Sequence, residues 1–466
     1  MDNWTVSTDG LTWTFKLKQG VKFHDGSELK AEDVAFSMDR LLTIGQGYAF
    51  EFLPYVNKTT ALDDYTVEFK LNKSWGPMLN ALTLFFVVNK DVVMAHIADP
   101  SAGAPSYGEF KDYATTWLAT HDAGSGPYKV KSFITEASLT MEVFTDYFEE
   151  ILPNAPEEVI FSASPGAATV KTMMAKRELE IAGELPREVN EYLETITGIK
   201  AGKIFFGDQV TLSINTRRPP TDDVHFRRAM AYAFNYTAGA QIFAGAVQSK
   251  GPVSQEIPGH DPNIFVYDMN LAKAQEELQQ SKYASNYTEY EVEVAWCAEV
   301  ADEEKVSILF ANCMQQLGIN VKVTKVPWLS MIELAAIQES TPNMMCFLPC
   351  TTYGEAASIL NVKFHSEAAG SCYGCSWLLN DTIDQMLEDA LSTVDQDERF
   401  AKYANIQAEL QQLCTEINVC DMPMIQCYQD HYVDWPTAEG QAPPDLCYNI
   451  ECRLIQVYPE KRQELL

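Results

Sequence analysis

The sequence predicts an α/β protein built from more than one domain, and three observations support this prediction. At 466 residues the chain is too long for a single hydrophobic core. Its composition, 46% hydrophobic and 21% charged residues, is that of a folded globular protein. Segments with the two-residue alternation of strands are interleaved with segments whose apolar residues recur at helical spacing, which is the pattern of α/β domains.

The first predicted elements are a β-hairpin and a helix. Residues 11–18 alternate apolar and polar side chains, as a strand with one buried face does, and turns flank them at Asp9-Gly10 and Gln19-Gly20. Residues 21–23 are predicted as a second short strand. The period then changes to that of a helix, whose apolar face carries Val34, Met38, Leu41 and Leu42.

The same alternation continues along the rest of the chain. A Gly/Pro-rich turn at 124–127 leads into strands as far as Phe144. The other predicted strands are at 65–71, 180–182, 210–214, 290–295 and 320–326, and the other predicted helices are at 170–179, 223–245, 271–280, 306–317 and 384–413. Asp223, Arg227 and Arg228 are expected to stabilise a helix start through capping and ion pairs.

Charge and hydropathy exclude several classes of function. The net charge of −31 argues against nucleic acid and anionic membranes as partners, because both require clustered Lys and Arg. The longest apolar run, residues 78–88, is shorter than the roughly 20 residues of a membrane span. No basic and then apolar signal segment opens the sequence, so we expect that such a segment has been removed or that the first part of the gene is absent.

Cysteine use differs between the two parts of the chain. All 11 cysteines lie between Cys297 and Cys452, which indicates a separate C-terminal unit. Disulfides in an oxidising compartment would explain them, although an odd number leaves at least one thiol unpaired. Cys372-x-x-Cys375 is the best half of an alternative metal site, but no second pair has the same spacing.

Four blocks of sequence, in order, resemble the dipeptide, oligopeptide and nickel-binding type of ABC transporter extracellular solute-binding proteins, family 5. Any one of them alone is a weak signal, whereas their ordered combination is specific. The blocks are Trp4-Thr5-Val6-Ser7 through Asp25-Gly26 with Ala31-Glu32-Asp33-Val34; Gly124–Val130 with Asp146-Tyr147-Phe148; Lys176–Ala182; and Asn215–Asp223 with Phe226–Ala229 and Ala231-Tyr232-Ala233.

The resemblance implies a fold and a division into domains. It implies the two-lobe, three-domain periplasmic-binding-protein-like fold of the type II, large peptide-binding class. Residues 1–132 would form the peripheral domain of lobe I, residues 133–248 and 436–466 its core domain, and residues 249–435 the α/β domain of lobe II. Family members normally begin with some tens of residues that supply the first strand of lobe I, and we expect that strand to be missing here.

The resemblance also suggests which residues hold the solute. Peptide-binding relatives commonly have an Asp before a Tyr in the second lobe, where it neutralises the ligand's ammonium; here Thr352 precedes Tyr353. A free peptide amino terminus is therefore in doubt, and Glu355 is a possible substitute. Trp328 and Tyr48 match positions at which aromatic rings cover the ligand. The expected ligand-binding residues are Tyr48, Trp328, Cys350, Thr352 and Tyr353, with no catalytic residue, metal ligand or cofactor.

The function implied is capture of a solute by closure of two lobes and its delivery to an ABC importer, without catalysis. The solute would be an oligopeptide, an oligosaccharide or a metal chelate. The protein would be an extracytoplasmic monomer, in the periplasm or on the outer cell surface and possibly anchored as a lipoprotein, and its partners would be membrane permease subunits. The alternatives are a ligand-sensing surface receptor that is not coupled to transport and a secreted hydrolase, for which no nucleophile motif stands out.

Overall fold

The chain divides into two compact units. The computed structural model describes residues 3–163, 165–183, 185–441 and 450–465. Unit 1 comprises Met1–Gly202 and Gln426–Leu466, and unit 2 comprises Lys203–Ile425. The finer division of lobe I into a peripheral and a core domain, with its boundaries at residues 132, 248 and 435, stays a prediction.

Unit 1 begins with an antiparallel sheet. Its strands are β1 (Asn3–Val6), β2 (Thr12–Lys16), β3 (Val56–Asp63) and β4 (Thr66–Leu71), in the order β1-β2-β4-β3. Trp13 and Phe15 of β2 are buried, as the alternation of residues 11–18 predicts. The strand predicted at residues 21–23 is wrong: Lys22 forms a single bridge with Glu28, because the Asp25-Gly26 turn folds the chain back at once.

Helices and a second sheet complete unit 1. The second sheet is antiparallel, in the order β5-β6-β7. The helices are α1 (Ala31–Ile44), α2 (Ala49–Phe52), α3 (Met78–Ala81), α4 (Lys90–Ala95), α5 (Thr115–Leu118), α6 (Ala167–Ala175), α7 (Arg187–Glu194) and α16 (Pro459–Gln463), and the strands are β5 (Tyr128–Ile134), β6 (Ser138–Val143), β7 (Glu158–Ser162), β8 (Ile181–Gly183), β15 (Val433–Asp434) and β16 (Gln456–Val457).

Unit 2 is organised around a mixed sheet. Its strands are β9 (Lys200–Ile214), β10 (Val247–Gln248), β11 (Glu291–Cys297), β12 (Asn320–Val326), β13 (Met344–Phe347) and β14 (Glu416–Tyr428), in the order β10-β14-β9-β13-β11-β12. Strand β11 runs parallel to both β12 and β13, whereas β13 runs antiparallel to β9. The helices are α8 (Val224–Ala233), α9 (Tyr236–Ala240), α10 (Leu271–Gln280), α11 (Ala301–Gln315), α12 (Trp328–Ala335), α13 (Ala357–Phe364), α14 (Asp381–Ser392) and α15 (Gln396–Leu413).

Strand β13 is covered on both faces, which is why its four residues, Met344–Phe347, are all apolar and buried. On one face Met344 and Cys346 of β13 pack in a large core that includes residues of α8 and α11. On the other face the alternate residues Met345 and Phe347 pack with Met331 of α12. Burial on both sides is usual for sheets that contain parallel strands.

Two helices predicted as continuous are interrupted. The helix predicted at residues 223–245 ends at Ala233, and α9 begins after Asn235, whose side chain accepts a hydrogen bond from the Ala238 N–H at 3.0 Å. The helix predicted at residues 384–413 is two helices, because Asp395 caps α15 by accepting from the Glu398 N–H at 2.9 Å. Asn and Asp favour such caps over helix interiors.

The start of α8 is stabilised by a cap, as predicted, but not by the expected ion pairs. Asp223 Oδ1 accepts from the Phe226 N–H at 2.9 Å. Arg227, which is 5% exposed, donates from Nη2 to the Leu413 carbonyl at 2.7 Å and from Nε to the Cys414 carbonyl at 3.0 Å. Its guanidinium therefore satisfies carbonyls at the carboxyl end of α15, which the helix itself leaves without donors.

Candidate functional site

The candidate site in unit 2 lies where its parallel strands end. Strand β11 ends at Cys297, β12 at Val326 and β13 at Phe347. Because these strands are parallel, their carboxyl ends share one edge of the sheet, which we call the carboxyl edge. Loops at such an edge are a common place for ligands in α/β proteins.

Trp328 is held at the carboxyl edge through a neighbouring strand. It is the first residue of α12, directly after β12, and its backbone N–H donates to Glu299 Oε2 at 3.0 Å. The same carboxylate oxygen accepts from Cys297 Sγ at 3.1 Å, so the ends of β11 and β12 are tied together. The indole is 40% exposed, and Leu329 beside it is 73% exposed. A large apolar surface is thus available to a partner molecule.

Cys350, Thr352 and Tyr353 follow β13 at the same edge. Cys350 is half-buried, with its Sγ 3.9 Å from the hydroxyl oxygen of Tyr373. Thr352 is also half-buried. Tyr353 is 4% exposed, and its backbone carbonyl accepts from the Ser358 hydroxyl at 3.1 Å. The structure therefore brings four of the five sequence-predicted residues to one edge of one sheet.

Glu355, considered above as a substitute anchor for an ammonium group, is already engaged within the protein. Its side chain is fully buried. Its carboxylate accepts from Arg399 Nε at 2.7 Å, from Arg399 Nη2 at 3.0 Å and from the Tyr403 hydroxyl at 2.7 Å. A carboxylate with these partners stabilises the fold and is not available to a solute.

Asp208 is a candidate that sequence reasoning missed. The β13 and β9 register pairs Phe347 with Thr211, and it continues through the Gln209 N–H, which donates to the Pro349 carbonyl at 3.1 Å. This register places Asp208 opposite Cys350. Burial of the Asp208 carboxyl raises its pKa to about 6. The available signal was an acidic residue inside an otherwise uncharged strand pattern, Phe205–Ile214.

Tyr48 lies in unit 1, at the end of the loop that follows α1. Gly45, with φ of 68°, ends that helix, and Gly47, with φ of 59°, turns the chain again before Tyr48. Tyr48 is 37% exposed and precedes α2, in which Phe50 is 51% exposed. An exposed aromatic surface therefore exists here as well. Its role in binding stays a prediction.

The described cysteines do not form the disulfides that the sequence left open. No disulfide joins any of the ten cysteines in the described part of the chain, and Cys447 lies outside it. Burial raises the pKa of the Cys372 thiol to about 11 and that of the Cys375 thiol to about 12. Within the described ranges, no three His, Cys, Asp or Glu side chains are grouped so that they could hold a metal ion.

Among the described residues, no helix combines the length and the apolar character that a membrane span requires.

Solved structures show which fold this is. The chain matches an ABC transporter substrate-binding protein, CtaP, from Listeria monocytogenes with a TM-score of 0.83 and 17% identity, over 98% of this chain and 90% of that one. It matches the periplasmic binding protein DppA from Helicobacter pylori, solved in complex with the peptide STSA, with a TM-score of 0.72 and 20% identity, over 98% and 88% of the two chains. The protein therefore has the two-lobe fold of the solute-binding proteins of ABC importers.

Sequence comparison places the chain more narrowly. Residues 1–371 match the family model described as bacterial extracellular solute-binding proteins, family 5 Middle, and the chain belongs to this family. The probable D,D-dipeptide-binding periplasmic protein DdpA of Escherichia coli K12 is 26% identical over 92% of this chain and 78% of its own length. The glutathione-binding protein GsiB of Pectobacterium atrosepticum is 24% identical over 88% of this chain and 77% of its own length. The resemblance inferred from the four sequence blocks is confirmed.

Proposed function

We propose that this protein captures a peptide-sized solute outside the cytoplasm and delivers it to the permease of an ABC importer. The observation that carries the proposal is the family match over residues 1–371. Relatives that cover most of this chain are binding proteins named for a D,D-dipeptide and for glutathione, which favours a peptide over an oligosaccharide. A metal chelate remains a second candidate class, because a structural relative, NikA from Brucella suis, was solved with Fe(III)-EDTA.

The binding surface proposed in unit 2 is the carboxyl edge. Trp328 would cover the solute with its exposed indole, since a flat ring contributes a large apolar area together with one N–H donor. Cys350, Thr352 and Tyr353 would contribute the segment after β13, where backbone groups and a hydroxyl can bond to the solute. Tyr48 would contribute the aromatic contact from unit 1.

Solute binding would act by population shift. A solute that binds the closed arrangement of the lobes more tightly than the open arrangement shifts the population toward the closed form. The permease then recognises the closed form. No covalent step is part of this function, and the protein would work as a monomer, periplasmic or anchored at the cell surface. A receptor that senses the solute without transport would use the same first step.

A thermal-shift screen tests the proposal. The purified protein would be heated with di- to pentapeptides, glutathione, oligosaccharides and metal chelates, and we expect a peptide to raise the midpoint of unfolding in a concentration-dependent way. Stabilisation by oligosaccharides alone would overturn the proposal that the solute is a peptide. Hydrolysis of a peptide during incubation would overturn the proposal that the protein binds its solute without catalysis. Uptake of the stabilising solute by cells with and without this gene then separates transport from sensing.

A further inference from the structure

Six asparagines of the chain stand in the pattern Asn-x-Ser/Thr, which is the acceptor sequence for N-linked sugars. Such triplets also arise by chance, so their place in the fold has to distinguish acceptors from coincidences. The structure separates them into two groups of three, one in each unit. The triplets begin at Asn3, Asn57, Asn72, Asn235, Asn286 and Asn380.

The three triplets in unit 2 begin at helix starts. Asn235 directly precedes α9, Asn380 precedes α14 and Asn286 precedes a short 3₁₀ helix. The Asn235 side chain accepts from the Ala238 N–H at 3.0 Å. The Asn380 side chain accepts from the Thr382 N–H, also at 3.0 Å. Helix capping therefore accounts for Asn235 and Asn380, and Asn286 shares their position and their half-burial.

The three triplets in unit 1 lie at the edges of its four-stranded sheet. In the order β1-β2-β4-β3, the strands β1 and β3 are the outer ones. Asn3 is in β1, and Asn57 lies at a shift of register between β3 and β4. Asn72 directly follows β4, and its N–H donates to the Tyr55 carbonyl at 2.7 Å, so it lies beside the start of β3. All three asparagines are exposed.

The same two edges expose large apolar side chains. Trp4 and Val6 of β1 are 49% and 36% exposed, and Leu62 of β3 is 54% exposed. Outer strands of a sheet also offer backbone N–H and C=O groups to any strand of another molecule, which favours edge-to-edge association. Native proteins therefore protect such edges, for example with charged residues, bulges or covering segments. A bulky, hydrophilic sugar on an outer strand would protect it in the same way.

We propose that Asn3, Asn57 and Asn72 carry N-linked glycans that shield the two outer strands of this sheet. In the transfer, the amide Nδ2 of the asparagine forms a bond to C1 of the first sugar. The bond from C1 to a phosphate oxygen of a polyprenyl-phosphate-linked sugar donor breaks, one amide proton is lost, and the phosphate leaves with its lipid. The inference rests on the extracytoplasmic location in the proposed function, because N-linked sugars belong to exported chains, and it is independent of the solute.

The Ser/Thr hydroxyl of the triplet determines when transfer to Asn57 can take place. The third residue of that triplet is Thr59, and its Oγ1 is closed to solvent in the folded sheet. A transferase that recognises this hydroxyl can therefore reach the triplet only before β3 has packed. Since the Asn57 side chain is exposed after folding, a sugar already attached to it remains outside the sheet.

Peptide mapping by mass spectrometry, on the protein purified from the cells that produce it, tests the proposal. We expect added sugar mass on the peptides that contain Asn3, Asn57 and Asn72, and none on the three triplets of unit 2. Asn72→Gln should lose the mass of one glycan, and Ser74→Ala, which leaves Asn72 in place, should lose the same mass. Asn154→Gln replaces an exposed asparagine of unit 1 outside any triplet, and as the control it should keep the full mass.

Light scattering during heating tests the shielding role. The variant that combines Asn3→Gln, Asn57→Gln and Asn72→Gln should aggregate at a lower temperature than the wild type, because its outer strands are uncovered. Equal aggregation of the two proteins would refute the shielding role.

The mapping result also separates this inference from the proposed function. Absence of sugar from an outer strand, at Asn3 or at both Asn57 and Asn72, overturns the inference for that edge and leaves solute capture intact if the protein is recovered outside the cytoplasm. Sugar on the unit 2 triplets in place of those in unit 1 overturns the division made from the fold. A protein that is recovered only in the cytoplasm and is stabilised by no solute overturns both proposals.

Discussion

Arg399 and Glu355 form a buried ion pair with two parallel hydrogen bonds. Arg399 Nε donates to Glu355 Oε1 at 2.7 Å, and Nη2 donates to Oε2 at 3.0 Å. The Glu355 carboxylate is completely buried and the Arg399 side chain is 4% exposed. Since Glu355 lies two residues after Tyr353, the last of the candidate residues in this loop, the pair fastens the loop of the carboxyl edge to the helix α15.

Loss of Arg399 should destabilise the protein strongly. Arg399→Met removes the positive charge and both guanidinium hydrogen bonds, and it leaves the Glu355 carboxylate buried without its cationic partner. Breaking one side of a buried pair typically costs about 3–5 kcal/mol. Urea unfolding followed by circular dichroism measures the loss. Removal of the exposed partner in the surface pair Lys402–Glu398, by Glu398→Ala, is the control and should change stability by less than about 1 kcal/mol. A similar small change for Arg399→Met would refute the prediction.

A second buried pair should show a clear pH dependence when it is broken. Lys363 Nζ lies 2.6 Å from Glu416 Oε2, and the two side chains are 3% and 4% exposed. Burial raises the pKa of the Glu416 carboxyl, while Lys363 lowers it. Lys363→Met removes the positive charge that favours the ionised form of Glu416. Burial then acts alone, so Glu416 binds its proton more tightly in the folded than in the unfolded state. Stability then falls as the pH rises, and the variant should lose more relative to the wild type at pH 8 than at pH 4.5. Equal losses at both pH values would argue against the pair.

Glu303 provides a second pH test, in which the variant should become more stable relative to the wild type as the pH rises. It is 2% exposed in α11, accepts from the Cys297 N–H at 2.7 Å, and burial raises its pKa to about 8. The folded protein therefore binds a proton that the unfolded chain releases at lower pH, and stability declines as the pH rises toward 8. Glu303→Gln has no such proton, so its stability relative to the wild type should increase between pH 5 and pH 8.5 by roughly 1–3 kcal/mol. Chemical unfolding at a series of pH values measures it; a constant difference contradicts the raised pKa.

Gly207 and Gly26 form a matched pair for separating steric contact from backbone strain. Both have φ of +88°, but a Cβ on Gly207 would lie 2.4 Å from Thr351 Oγ1, whereas a Cβ on Gly26 would meet nothing within 4 Å. Gly26→Ala should cost about 1 kcal/mol from the backbone conformation alone. Gly207→Ala should cost about 3 kcal/mol and also weaken solute binding, because it displaces Thr351, which lies between the candidate residues Cys350 and Thr352. Equal stabilities of the two variants would show that the Thr351 contact adjusts freely.

Trp328 should matter for binding much more than for stability. Because its indole is 40% exposed, Trp328→Ala should change the free energy of unfolding by less than about 1 kcal/mol, while reducing the affinity for the solute about tenfold or more. Trp4→Ala, at a 49% exposed position on an edge strand of unit 1, is the control and should leave affinity unchanged. Unchanged affinity in Trp328→Ala would remove the carboxyl edge from the proposed binding surface.

Much of the fold was predictable where local patterns are strong. The helix α10 and the strand β12 have the predicted bounds, because their apolar periods are regular and polar turn residues flank them. Strand β14 was not predicted. It carries charged residues such as Glu416 and Asp421, and these are compatible with a buried strand only because Lys363 and Gln255 come from other segments to meet them.

The candidate site was only partly predictable, for a related reason. Trp328, Cys350, Thr352 and Tyr353 came from the resemblance to the family, and the topology then showed that they share an edge of the sheet. Asp208 belongs to no recognised sequence block and is 142 positions away from Cys350, which only the register of two antiparallel strands brings opposite it. Glu355 looked available until the buried Arg399 was seen beside it.

The sequence by itself determined the α/β class, the family and most of the local elements, because these depend on residues close together in the chain. Only the tertiary structure decided which charged groups are satisfied and which are not. Whether a carboxylate has a partner depends on distant segments that pack against it: Glu355 and Asp421 acquire donors in this way, and Oδ1 of Asp208 acquires none among the described residues. The order of residues does not reveal such pairing, because the donors come from segments that are distant in the chain.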